Sequence, residues 1–107
     1  MSDPQDLFAD LEAVIVALGD DVSKKTLKFY FAYRRLGNFA GVEVRPRSQI
    51  LLVYLKVDPD SIQLEEGFSR DVRTIGHHAT GDLELRIKDA ADLAKAQPLI
   101  RQSYSAG

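Results

Sequence analysis

The spacing of apolar residues predicts a helix at the start of the chain and period-two strands after it. Over residues 4–18, Leu7, Leu11 and Leu18 fall on one helical stripe. Asp3 suits the helix cap and Pro4 the first helical position. From residue 28 onward, apolar and polar residues alternate instead, which is typical of strands with one buried face.

The alternating part of the sequence predicts three strands joined by short turns, and therefore an antiparallel meander. A loop follows, in which Ser69 could cap a short helix. After a fourth strand, Asp89 is the predicted cap of the last helix, whose apolar stripe keeps its phase across Pro98. The predicted ranges are strands 28–34, 39–45, 50–57 and 82–88, a short helix 69–74, and a helix that begins after residue 89.

These elements predict an α+β fold in the order α-β-β-β-short α-β-α. The chain, residues 1–107, would form a single domain with a four-stranded, largely antiparallel sheet and two main helices. We expect both helices to cover one face of the sheet, which carries Phe29, Phe31, Val42, Val53 and Leu85. The opposite face, called the reverse face below, is then predicted to meet solvent with Lys28, Tyr30, Arg34, Arg45, Leu52, Tyr54, Lys56 and Arg86.

Composition and charge narrow the classes of function. The chain has no cysteine, which excludes disulfides, thiol nucleophiles and finger-type zinc sites. It has no apolar run of membrane-spanning length, and its acidic start is unlike a secretory signal. We therefore expect a cytoplasmic protein without membrane contact or cofactor. Residues 23–56 hold eight basic residues against Glu43 alone, and this block could bind an anion.

The segment from Arg70 to Asp82 concentrates polar side chains, including both histidines. The pair His77 and His78, with Asp71 and Asp82, has the chemical inventory of a metal site or an acid–base pair. Neighbouring residues of an extended segment point to opposite sides, however, so His77 and His78 are poorly placed to share one metal. The alternative is structural, with Asp82 or the loop backbone holding His77. We expect no metal and, because no known catalytic motif is complete, no enzyme.

Arg70 and Arg73 also allow two interpretations. Their guanidinium groups could hold an anion at the start of the predicted short helix. Alternatively, Asp71 could form an internal salt bridge with an arginine or lysine of the first strand. The structural interpretation is favoured.

Four stretches resemble a known family: Lys-x-Tyr-x-Ala-Tyr-Arg-Arg at 28–35, Asn-Phe-Ala at 38–40 with Val-Glu-Val after it, 54–58, and Arg-Asp-Val-x-x-Ile-Gly-His at 70–77 followed by Gly81-Asp82. They resemble an uncharacterised bacterial and archaeal domain that usually ends larger proteins. Some of these are labelled predicted transport proteins, and others look like restriction-type endonucleases with ParB-like and HNH parts. The family often has Trp-Gly where this chain has His78-Ala79. We expect this chain to be free-standing.

The resemblance implies no established activity, and its nuclease neighbourhood implies a role near nucleic acid by association only. The reverse face suggests the same partner, because tyrosines among cations can stack bases and follow a phosphate backbone. A homodimer or other protein interface at Leu52 and Tyr54, or an ordinary solvated face, are the alternatives. The predicted function is a non-catalytic binding domain, with binding residues Lys28, Tyr30, Arg34, Arg45, Tyr54, Lys56, Arg70, Arg73 and His77.

Overall fold

A six-stranded antiparallel sheet with both α-helices on one face makes up the structure. The computed structural model describes residues 4–77 and 79–106, and within them it shows two α-helices, six strands and one 3-10 turn. The elements are α1 (Pro4–Val16), β1 (Ser23–Thr26), β2 (Phe31–Arg34), β3 (Asn38–Arg45), β4 (Ile50–Leu55), the 3-10 turn (Pro59–Ser61), β5 (Ser69–Asp71), β6 (Leu83–Ile87) and α2 (Ala90–Ala106).

The strands lie in the order β1-β2-β3-β4-β6-β5, and every neighbouring pair is antiparallel. The predicted α+β class with two main helices and an antiparallel sheet is confirmed. The predicted number of four strands is wrong, because two short edge strands extend the sheet. No helix in the described part of the chain is both long and apolar enough to cross a membrane.

Both edge strands were missed for local reasons. β1 is the polar sequence Ser-Lys-Lys-Thr, whose four residues are all exposed, so it shows no apolar alternation. The predicted strand 28–34 begins only at Phe31, since a turn that joins Leu27 to Tyr30 precedes it. This turn leaves Phe29, predicted to be buried, 56% exposed. β5 replaces the predicted short helix because Ser69–Asp71 pairs with β6.

The core lies between the helices and the facing side of the sheet. α1 contributes Leu7, Leu11 and Ile15, all essentially inaccessible to solvent. Phe31, Val42, Val53 and Leu85 stand in one row across the strands on this side, as predicted. Ser103 of α2 ties the layers together, since its Oγ donates to the Phe39 carbonyl and accepts from the backbone N–H of Lys56.

The last helix agrees with its sequence signals. Oδ1 of Asp89 accepts a hydrogen bond from the backbone N–H of Asp92 at 2.9 Å, as expected of a cap residue. α2 continues through Pro98 as one helix, and it buries Leu93, Ala96 and Ile100.

Gly81 allows the chain to enter β6 close to β4. Its φ is +135°, and an added Cβ would lie 2.6 Å from the Leu55 carbonyl oxygen.

We expect Gly81→Ala to lower the free energy of unfolding by about 2 kcal/mol or more, because backbone strain at residue 81 and overlap with the backbone of Leu55 act together. Gly76→Ala is the matched control, because nothing lies within 4 Å of an added Cβ there. Denaturant unfolding of both variants checks this, and equal effects would contradict it.

Candidate functional site

The reverse face is covered at its centre by residues 72–77 together with residues 79 and 80, which we call the covering loop. Val72 and Ala79 are 1% and 2% exposed, and they pack with Leu52 and Tyr54 of β4 in a small second core. The prediction that this face meets solvent is therefore wrong at Leu52 and Tyr54. The cover comes from an internal loop.

Gly41 makes this cover possible. It stands beside Tyr54 on the reverse face, and a Cβ added to it would lie 2.5 Å from the Cβ of Ala79 and 3.4 Å from the ring of Tyr30. The missing side chain thus lets the loop and Tyr30 pack directly onto β3. The sequence carried a signal for this, because glycine inside a strand often marks a close approach of other backbone.

His77 is held by the covering loop itself. Its Nδ1 lies 2.5 Å from the carbonyl oxygen of Ala79, and its ring stacks on Tyr54 with centroids 4.9 Å apart and planes 7° apart. The structural interpretation, with loop backbone fixing His77, is confirmed. His78 lies outside the described residues. Among the residues described, no group of three or more histidine, aspartate or glutamate side chains could hold a metal ion.

One flank of the covering loop forms a cleft of about 480 Å³ that we call the arginine cleft. Its most deeply buried charged group is Glu84, which is only 3% exposed. Oε2 of Glu84 accepts hydrogen bonds from the Tyr54 hydroxyl at 2.9 Å and from Nη2 of Arg70 at 3.1 Å. The cleft is lined by Arg45, Tyr54, Arg70, His77, Glu84 and Arg86, among others.

Burial and Glu84 together change the acidity of Tyr54. Burial of the phenol, its hydrogen bond to Glu84 and the negative charge of that carboxylate raise the pKa of Tyr54 well above its usual value. Tyr54 is therefore a neutral hydrogen-bond donor at physiological pH. It is not the exposed stacking platform that the sequence suggested.

Arg73 is engaged in an internal ion-pair cluster on the surface. Its guanidinium group contacts Asp71 at 2.7 Å and Asp60 at 3.0 Å, and the hydrogen bonds from Arg73 hold the pKa of Asp71 below its usual value. The predicted partner of Asp71, a cation of the first strand, is wrong. The alternative was an anion bound at the start of a short helix. The structure has no helix there, because Ser69–Asp71 forms strand β5. Arg70, predicted beside Arg73, instead points to Glu84.

The other flank of the covering loop forms a groove that contains three cations, which we call the basic groove. Lys25 of β1, Arg34 of β2 and Lys56 after β4 line it together with Tyr30 and Thr80. None of the three cations forms an ion pair with any residue that the structure describes. The groove thus carries uncompensated positive charge.

Three of the residues predicted to bind a ligand lie in this groove. They are Tyr30, Arg34 and Lys56, and Lys25 takes a place that the prediction gave to Lys28. Lys28 lies in the exposed turn, where its Nζ is 5.3 Å from the centre of the Phe29 ring. Lys24 points to the helix side, where it pairs with Glu12. Lys24 and Lys25 are neighbours in β1, so their side chains lie on opposite faces of the sheet. Because β1 was not predicted, the sequence did not indicate which of the two lysines lies on the reverse face.

A family model for a domain of unknown function, DUF5655, matches residues 2–107, which is nearly the whole chain. The chain belongs to the DUF5655 family. A relative described as an uncharacterised protein, from Haemophilus influenzae, is 24% identical over 99 residues. The match covers 92% of this chain but 32% of the relative, so the chain spans about a third of that protein's length. No solved structure gives a significant match.

The raised pKa of Tyr54 predicts a specific pH dependence of stability. The contribution of Tyr54 is fully present below the unfolded pKa of about 10 and is lost as pH rises toward the folded pKa. We therefore expect Tyr54→Phe to destabilise the domain by about 1–2 kcal/mol at neutral pH. This difference should shrink above about pH 10, by up to about 1.4 kcal/mol per pH unit. Denaturant unfolding at several pH values measures it, and a difference that stays constant would contradict the assignment.

Proposed function

We propose that this DUF5655 chain is a non-catalytic binding domain that holds single-stranded nucleic acid in its basic groove. The observation that carries the proposal is that Lys25, Arg34 and Lys56 line one groove and have no ion-pair partner among the described residues. Cations without a protein partner keep their full charge for a ligand, and nucleic acids present phosphates at regular intervals.

The size of the groove supports a strand more than a single ion. It has a volume of about 460 Å³, is open to solvent, and runs between the turn before β2 and the end of β4. Nζ of Lys56 lies next to Gly37 in the β2–β3 turn. The distance from this nitrogen to the position of a Cβ added at Gly37 is 3.5 Å. The positive charge is thereby spread along the groove, where it can follow consecutive phosphates.

Tyr30 supplies the aromatic component. It is partly exposed at the border of the groove, and it packs on Gly41 beside Ala79. A tyrosine ring held in place in this way can stack on a base without losing much conformational entropy. The resemblance of the chain to domains attached to restriction-type endonucleases supports the same class of partner, by association only.

The alternative, a protein interface at Leu52 and Tyr54, lacks the exposed surface that it requires. Both side chains are buried within this chain, so they cannot contact a partner unless the covering loop moves away. A homodimer or other protein partner stays a prediction.

The proposal predicts salt-sensitive binding. A short fluorescently labelled single strand should bind with an anisotropy change, and the slope of log K against log salt should be about −2 for three phosphate contacts. The triple variant Lys25→Ala/Arg34→Ala/Lys56→Ala should lose at least about tenfold in affinity.

A charge-matched control is the triple variant Arg47→Ala/Lys88→Ala/Arg101→Ala, which removes the same number of positive charges away from the groove. It should bind nearly as the unmodified protein does. Equal losses in both triple variants, or no binding by the unmodified protein, would show that the groove is not a nucleic-acid site.

A further inference from the structure

The arginine cleft contains a buried hydrogen-bond acceptor that none of the described residues uses. Oε1 of Glu84 is inaccessible to solvent and has no hydrogen-bond partner among the residues that the structure describes. Nε of Arg86 is 4.0 Å from this oxygen, which is too far for a hydrogen bond. A buried carboxylate oxygen without a hydrogen bond lowers the free energy of unfolding. A ligand that donates a hydrogen bond to this oxygen would remove that penalty.

The charges around this oxygen favour an anionic ligand at the mouth of the cleft. Arg45, Arg70 and Arg86 face two buried carboxylates, Glu43 and Glu84, so one positive charge is in excess. The three arginine side chains are each at least half exposed, and a guanidinium group is well suited to paired hydrogen bonds with phosphate or carboxylate.

We propose that the arginine cleft binds a small molecule with two features: an anionic group for the guanidinium groups, and an N–H donor for Oε1 of Glu84. The anion draws the Arg86 side chain outward, and the N–H group of the ligand takes its place beside the carboxylate. A volume of about 480 Å³ suits a molecule of nucleotide size or smaller. A nucleoside monophosphate with an amino-bearing base and an acidic amino acid share this chemistry.

This site does not depend on the proposed function. It lies on the opposite flank of the covering loop from the basic groove, and none of the three groove cations lines it. The triple variant of the groove should therefore keep the binding described here, so that failure of one proposal is distinguishable from failure of the other.

Isothermal titration with cytidine monophosphate, glutamate, ribose 5-phosphate and inorganic phosphate tests the proposal. We expect cytidine monophosphate or glutamate to bind at least about tenfold more tightly than the two phosphates that lack an N–H donor. Tighter binding of cytidine monophosphate would identify the ligand as a nucleotide, and tighter binding of glutamate would identify it as an acidic amino acid. Equal affinity for all four, or no measurable binding of any, would overturn the proposal.

Two variants locate the binding. Glu84→Gln should abolish the preference for N–H donors while phosphate binding persists, whereas Arg86→Gln should weaken all anions several-fold. Arg101→Gln, in α2, is the control and should leave binding unchanged. If Glu84→Gln fails to fold, as judged by thermal unfolding, the exposed Arg86→Gln still decides: unchanged affinities there would overturn the proposal.

Discussion

The packing of Ala79 against Gly41 is the contact on which the arrangement of the reverse face depends. A strand residue with any side chain would hold the covering loop away from the sheet, because the Cβ of Ala79 occupies the space that a Cβ at position 41 would need. With the loop in place, Leu52, Tyr54, Val72 and Ala79 exclude water on this side as well. A small domain thereby obtains a second apolar cluster in addition to the helix-covered core.

The covering loop also separates the charges of the reverse face into two surfaces of different chemistry. On one flank, arginines meet buried glutamates, so most of the charge is compensated within the protein. On the other flank, lysines and an arginine have no acidic partner among the described residues, and they offer long-range attraction that salt weakens. The same loop therefore positions His77 over Tyr54 on one side and borders the basic groove with Thr80 on the other.

The sequence predicted the parts of this domain whose residues repeat with a clear period. The helices, β3, β4 and β6 have strong apolar patterns, and the cap at Asp89 is a local interaction. β1 and β5 could not be predicted because they are short and polar, and only pairing with a neighbouring strand stabilises them. At the site, residue type indicated the cations, Tyr30 and His77 correctly as surface or loop groups. The burial of Tyr54 depends on a tertiary contact, and Glu84 has the ordinary appearance of the polar side of a strand.

The most direct test of this account is the proximity of the covering loop to β3 in solution. Nuclear Overhauser spectra of the labelled protein should show cross-peaks to the Gly41 α protons from the Ala79 methyl group and from the Tyr30 ring. The account also expects the Tyr54 ring to show cross-peaks to His77. If these cross-peaks are absent while those within the helix-covered core are present, the loop does not cover the sheet, and the division of the reverse face into two surfaces is wrong.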